Sequence, residues 1–380
     1  MSVQWKAPLA DTSFGNEEVK AVTRVLESGW VTMGPETKAF ESEFASFVGS
    51  KYALACSNGT AALHLAYEAA GLSEDDEFCL PALTFVATLN AGLYLRARPV
   101  FIDCASAEDL TISPEDLENK ITPRTRLIVT MPYGGFVPDM ESICRIAEKN
   151  GIPVVEDASH APLAELNGKK LGTFGKAGTF SFFGNKNMTT GEGGMVVTDD
   201  DAVMEKVKLL RSHGMTTLSW DRHKGHAGYY DVVTPGYNYR IDDVRSAIGR
   251  EQLKKLPAIT EARIRAAHKL YVRLLPLRDR GLIIPFSEPR GYPVYHLFMA
   301  VLPEAIDRDE FRESLARDGV QTSVHYIPLH RFSHARPYLK DHKLPVVEKI
   351  EKRLVTLPMG PHLGDEEIEI IGQAVESALA

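Results

Sequence analysis

A single lysine, Lys186, stands in the segment Phe180-Ser-Phe-Phe-Gly-Asn-Lys186, with Gly191-Glu-Gly-Gly194 just beyond it. An amine held between an apolar strand and a glycine-rich turn is partly desolvated, and such an amine can carry an aldehyde as a Schiff base. The glycines suggest close approach by something bulky. Lys169, Lys170 and Lys176 sit nearby in a polar turn and read as solvated, so an ordinary surface lysine is the plain alternative for Lys186 taken alone.

Two other segments supply complementary chemistry. In Cys56-Ser-Asn-Gly-Thr-Ala-Ala-Leu63, Gly59 lets a ligand approach the backbone, and Thr60 opens a helix whose free N–H groups and positive dipole end favour phosphate. The same residues also read as a plain Ser/Asn helix cap. Glu156-Asp157-Ala-Ser-His160 ends an apolar run with two carboxylates and an imidazole. A carboxylate there can keep a pyridine nitrogen protonated, and the protonated ring withdraws electrons from an adjoining carbon. Adjacent strand residues point to opposite sides, so only one of Glu156 and Asp157 can do this; a capped strand end with a solvated acidic pair is the alternative. A metal site on Asp157 and His160 has no clear third ligand nearby in the sequence. Amine, phosphate cup and ring carboxylate are together the parts that pyridoxal phosphate needs.

These residues must be positioned by an alternation of helices and short apolar strands. Asn16 to Glu27 has Val19, Val22, Val25 and Leu26 at helical spacing, Tyr52 to Cys56 reads as a buried strand, and Thr60 to Ala70 as a helix. Phe78-Cys-Leu-Pro, Pro99 to Asp103, Leu127 to Met131 and Ile152 to Glu156 are further apolar runs. Strands apolar throughout and separated by helices indicate a mostly parallel sheet covered on both faces, with ligands beyond the strands' carboxyl ends. From Val244 to about Leu274 a long helical pattern is interrupted at Pro257; strands are then expected over Val294–Val301 and Thr322–Ile327, with a helix over Asp309–Asp318. This places a domain boundary near 255, giving 1–255 as a large domain and 256–380 as a small one. The long aromatic loop from Thr216 to Val232 carries Trp220, His223, His226, Tyr229 and Tyr230, and loops of that length are often functional or interfacial.

The composition narrows the class. A chain of 380 residues that is 44% hydrophobic and 25% charged is globular, and a net charge of −8 offers no basic field for nucleic acid. Four cysteines without a Cys-x-x-Cys pair and a start lacking an apolar signal core read as reduced thiols in the cytoplasm. No apolar run approaches the roughly 20 residues that span a bilayer.

Taken in order, Ser28-Gly-Trp-Val-Thr-Met-Gly-Pro35, Cys56 to Leu63, Thr84-Phe-Val-Ala-Thr88, Glu156 to His160, Phe180 to Lys186, Thr190 to Gly194, Gly236-Tyr-Asn-Tyr-Arg240 and His325-Tyr-Ile-Pro-Leu-His330 resemble the DegT-type pyridoxal-phosphate-dependent nucleotide-sugar aminotransferases. The likeness runs from about residue 8 to about residue 363. The Gly-Asn-Lys form of the lysine loop is similar to that of GDP-perosamine synthase-like 4-aminotransferases. The resemblance implies the fold type I architecture: a large domain around a mostly parallel seven-stranded sheet, a smaller C-terminal α/β domain, and a homodimer with shared active sites. It further implies that Lys186 bonds the cofactor covalently, that Asp157 pairs with the pyridine nitrogen and that His160 partners the ring oxygen, where glutamine is commoner in the family. Gly59, Thr60 and Ser181 match phosphate-binding positions, Asn238 the residue that reaches the phosphate from the other subunit, and Phe85 the aromatic that stacks on the ring.

The implied reaction is ping-pong transfer of an amino group from L-glutamate to a keto sugar nucleotide, with Lys186 moving the proton in both halves. Sugar 3-dehydratases of the family carry histidine at the lysine position, so Lys186 argues for transamination. Met131-Pro-Tyr-Gly-Gly-Phe-Val-Pro-Asp-Met140 departs from the family's His-containing pattern and leaves the substrate open. A 4-keto-6-deoxyhexose nucleotide is the favoured acceptor, with a 3-keto sugar or an aminocyclitol precursor as the rival. A cofactor-binding regulator without turnover is the reading from another class, and the chain shows neither the basic face nor the helix-turn-helix it would need. Trp30, Arg240, His325 and Tyr326 are candidate sugar or nucleotide contacts, and each of them alone reads equally as structural.

Overall fold

The computed structural model describes residues 5–217, 229–339 and 343–380; Trp220, His223 and His226 of the aromatic loop lie outside them. After helices α1 (Asn16–Glu27) and α2 (Pro35–Val48), strands and helices alternate: β1 (Tyr52–Cys56), α3 (Gly59–Ala70), β2 (Glu77–Pro81), α4 (Val86–Tyr94), β3 (Arg98–Ile102), α5 (Pro114–Lys120), β4 (Thr125–Thr130), α6 (Met140–Asn150) and β5 (Val154–Asp157). The small hairpin β6 (Glu165–Leu166) and β7 (Lys169–Lys170) precedes β8 (Ala177–Ser181), β9 (Gly194–Thr198) and α7 (Asp201–Leu210). One sheet of seven strands has the order β1-β9-β8-β5-β4-β2-β3. The pairs from β8 to β3 are parallel, while β9 runs antiparallel to both β1 and β8. The expectation of a mostly parallel seven-stranded sheet is met.

Both faces of the sheet are covered, and the alternation of side chains shows it. Leu54, Phe78, Leu80, Leu127, Val129 and Val155 belong to the core beneath α3 and α4. Their neighbours in the strands, Ala53, Ala55, Cys79, Ile128 and Val154, belong to the cores on the opposite side. A strand has period two, so Asp157 projects with Val155 toward α3 and α4, and Glu156 projects with Val154 away from them. In α1 the buried side chains are Glu18, Ala21 and Val25, with Val19 and Leu26 facing outward.

The long helical pattern is one helix, α8 (Asp243–Leu274), which continues through Pro257 instead of breaking there. Proline removes one helical hydrogen bond; here Leu253, Leu256 and Ile259 around it are buried, and their packing keeps the flanking turns in register. The division expected at 255/256 falls inside this helix. Its first half packs against α1 and α2, and Ala266, Ala267, Leu270 and Leu274 from its second half enter the C-terminal core. That core is completed by β10 (Phe298–Val301), α9 (Arg308–Arg317), β11 (Leu354–Leu357) and α11 (Asp365–Ala378), with the short α10 (Pro345–Ile350) before β11. The strand expected over 294–301 is confined to β10. The one expected over 322–327 reduces to a single bridge from Ser323 to Thr356, because β11 takes the place beside β10. Among the described residues no helix is long and apolar enough to cross a membrane.

Candidate functional site

The ends of β1, β2, β5 and β8 surround a cavity of about 670 Å³. On one wall, the Asn58 side chain caps α3 by accepting the Ala61 amide at 2.8 Å, which leaves the amides of Gly59 and Thr60 for a ligand. Across from them Ser181 ends β8, and a Cβ placed on Gly59 would lie 2.8 Å from Ser181 Cβ. The glycine therefore keeps open a cup of amide and hydroxyl donors. Two glycines beyond Lys186 have a different explanation: a Cβ on Gly194 would meet the Asn58 carbonyl oxygen at 2.4 Å, and Gly191 has φ +79°. These two glycines serve the chain's own backbone, not a bulky ligand as expected from the sequence.

The two adjacent carboxylates divide as their strand positions require. Glu156 turns into the interior, where its oxygens accept the amides of Gly172 at 2.8 Å, Phe174 at 2.6 Å and Gly175 at 2.9 Å. Burial raises its pKa and those three amides oppose the rise. Asp157 lines the cavity. Its Oδ1 accepts the Ser159 hydroxyl at 2.6 Å, and its Oδ2 accepts the Thr88 hydroxyl at 2.8 Å. Glu156 is thus a structural anchor, and Asp157 is the carboxylate available to a ligand.

Lys186 is half-buried, and its amine end lies in the same cavity. Desolvation pushes its pKa down to about 8, against the pull of the Asp157 charge. An amine so placed is far more nucleophilic near neutrality than a surface lysine. His160 is buried beside it and is held uncharged by burial and by the nearby Lys186 and His325. The Gly134 amide donates to His160 Nδ1 at 3.3 Å, which leaves Nε2 as the protonated nitrogen, 2.9 Å from the Tyr326 hydroxyl. His325 faces the cavity and holds Thr356 Oγ1 at 3.1 Å through Nδ1; burial and Lys186 push its pKa down to about 4. Phe85 caps α4 with its ring 49% exposed into the cavity, its centroid 5.5 Å from that of Tyr326.

Of the residues expected at the site, Lys186, Gly59, Thr60, Phe85, Asp157, His160, Ser181, His325 and Tyr326 line this one cavity. Trp30, Asn238 and Arg240 are not among its lining residues. Trp30 packs over Gly34, Asn238 is exposed on a segment bridged to Ser212, and Arg240 is half-buried. Their neighbour Tyr239 lines the wall instead. Sequence reading assigned no role to Thr88, Ser159, Tyr239 or His296, whose ring lies 4.2 Å from that of His160. Thr88 and Tyr239 stand in motifs of the family resemblance and Ser159 in the Asp-x-Ser spacing that forms an Asx-type turn; His296 has no local signal.

The donor set fits pyridoxal phosphate: a cup that one methyl group would fill, a buried carboxylate on the ring side, an exposed aromatic face and a lysine amine at their centre. The comparisons with known proteins agree with it. The model of the DegT/DnrJ/EryC1/StrS aminotransferase family matches residues 12–376. The spore coat polysaccharide biosynthesis protein SpsC of Bacillus subtilis is 36% identical over 95% of this chain and 94% of its own. Helicobacter pylori PseC, an aminotransferase involved in the biosynthesis of pseudoaminic acid, superposes with a TM-score of 0.89 at 29% identity, covering 98% of this chain and 99% of its own. DesV of S. venezuelae superposes with a TM-score of 0.89 at 31% identity over 98% of both chains. With the match spanning nearly the whole chain and the site assembled from its motifs, the chain belongs to the DegT/DnrJ/EryC1/StrS aminotransferase family and is a pyridoxal-phosphate-dependent aminotransferase.

Proposed function

We propose that this sugar aminotransferase moves an amino group from L-glutamate to a keto sugar nucleotide, an NDP-4-keto-6-deoxyhexose, by a ping-pong mechanism. The observation that carries this reading is the single cavity shared by the Lys186 amine, the Asp157 carboxylate and the Gly59–Ser181 cup. When bound, pyridoxal phosphate supplies the electron sink that makes a hydrogen on the amino-bearing carbon of a donor acidic. The chain's residues do the rest. Gly59, Thr60 and Ser181 would hold the phosphate, Asp157 would keep the ring nitrogen protonated, and Phe85 and His160 would hold the ring by its face and its oxygen. Lys186 would hold the cofactor covalently, and its Nζ, when free, would carry a proton away from the donor's amino-bearing carbon in the first half and to the sugar carbon that gains the amine in the second. Because one amine serves both halves, the keto product of the first must leave before the sugar is aminated.

His325 and Tyr326, at the cavity wall, are the proposed sugar contacts. In the proposed homodimer with shared active sites, Asn238 reaches the partner's phosphate, which its exposed position outside this chain's own cavity supports; Trp30 and Arg240 are proposed sugar or nucleotide contacts. The proposed division into a large domain over 1–255 and a small one over 256–380 puts Lys186 and Asp157 in the first and His325 and Tyr326 in the second. The polysaccharide and pseudoaminic acid pathways named for SpsC and PseC support an amino sugar product made for a polysaccharide. Cys56, Cys79, Cys104 and Cys144 are all free thiols, which supports a cytoplasmic setting. A panel of keto-sugar nucleotides incubated with glutamate and read by mass spectrometry tests the proposal. The expected result is an amino sugar nucleotide with equimolar 2-oxoglutarate; dehydrated, amine-free sugar alone contradicts it.

A further inference from the structure

We propose that Thr88 is a positioning residue for the cofactor, acting by fixing one oxygen of Asp157; this rests on the reading of Asp157 as the partner of the ring nitrogen. Thr88 is fully buried in the first turn of α4. Its hydroxyl is 2.8 Å from Asp157 Oδ2, and since a carboxylate only accepts, Thr88 donates. The donor's own position is fixed from two sides: Thr84 Oγ1 lies 3.0 Å from Thr88 Oγ1, and the Tyr67 hydroxyl donates to the Thr88 carbonyl at 3.1 Å. Ser159 holds the other oxygen, Oδ1, at 2.6 Å. The carboxylate is therefore clamped by two hydroxyls, one from the first turn of α4 and one from the turn after β5, and is held toward the cavity. The turn that carries Thr88 also begins with Phe85, so the ring face and the ring nitrogen are set by one short piece of backbone. Removing Thr88 Oγ1 leaves Asp157 tethered on one side only.

The groups facing Asp157 are the Lys186 amine and the hydroxyls of Tyr67 and Tyr326, and none of them replaces the Thr88 bond. Thr88→Val, which keeps the shape, is compared with Thr88→Ser and with Asp157→Asn by titrating pyridoxal phosphate into the cofactor-free enzyme and following the absorbance of the bound cofactor with pH. Loss of a hydrogen bond to a charged group predicts about tenfold weaker binding for Thr88→Val and a shift of about one unit in the midpoint of the absorbance change. Thr88→Ser restores both to within about twofold. If valine disturbs the packing, Thr88→Ala gives the same comparison in a smaller side chain. Thr88→Val and Thr88→Ala binding and titrating like the parent while Asp157→Asn does neither overturns the role of Thr88. Asp157→Asn behaving like the parent instead contradicts the assignment of Asp157 itself.

Discussion

Gly59 and Ser181 meet so closely that a Cβ on the glycine would stand 2.8 Å from Ser181 Cβ. Gly59→Ala must therefore push β8 and α3 apart at the proposed phosphate cup. Overpacking of this kind costs about 1–3 kcal/mol. Equilibrium dialysis is expected to show pyridoxal phosphate held at least about tenfold more weakly, since the cup amides lose their aim. Parent-like retention of the cofactor by Gly59→Ala would show that the phosphate sits elsewhere.

Glu156 and Asp157 predict opposite phenotypes. Glu156→Ala leaves the buried amides of Gly172, Phe174 and Gly175 without an acceptor, a loss of about 3 kcal/mol or more in urea unfolding. Asp157→Asn is expected to unfold within about 1 kcal/mol of the parent, since an amide can still engage Thr88 and Ser159, while aminotransferase turnover falls by orders of magnitude. Exchanged phenotypes would reverse the assignment.

Desolvation pushes the Lys186 amine down to about 8 from its ordinary value of 10.5, and the consequences have a definite sign. In the cofactor-free protein the folded state binds fewer protons than the unfolded chain between those two values, so its stability rises with pH across that window. Below about pH 8 the buried ammonium is a burden to the fold, and Lys186→Met removes it. Unfolding of the cofactor-free parent and variant between pH 7 and pH 10.5 should therefore show the variant's advantage shrinking as pH rises. Covalent loading of the parent should also accelerate as pH rises toward 8 and then level off. A parent–variant difference independent of pH would contradict this.

Tyr326 and His160 are linked at 2.9 Å. Tyr326→Phe leaves His160 Nε2 buried without its partner, a cost of about 1–3 kcal/mol visible in thermal unfolding. Because His160 is held uncharged, the loss should be the same at pH 6 and pH 8; a penalty that grows at the lower pH would mean that the ring is readily protonated, since a charged Nε2–H loses more with its partner.

Much of this site was legible because its chemistry is carried by runs of neighbouring residues. Gly59 with Thr60, Glu156 with Asp157, and Phe180 through Lys186 each announce a strand end and the groups at it. The period of two in β5 then separates an anchor from a ligand-facing carboxylate. What could not be read were contacts between distant segments. Thr88 is 69 positions from Asp157, and its place at the end of Thr84-Phe-Val-Ala-Thr88 does not show which carboxylate it holds. Pro257 reads as a break, yet burial of Leu253, Leu256 and Ile259 outweighs one missing helical bond. The strand expected over 322–327 was misplaced because β11 pairs with β10 in preference to that nearer segment, a choice made by long-range packing.

The covalent bond proposed between Lys186 and the cofactor is tested most directly by borohydride reduction of the holoenzyme followed by peptide mass mapping. The reduced cofactor should be found on the peptide containing Lys186, with Lys186→Ala retaining none. Cofactor mass on any other lysine would contradict the central assignment.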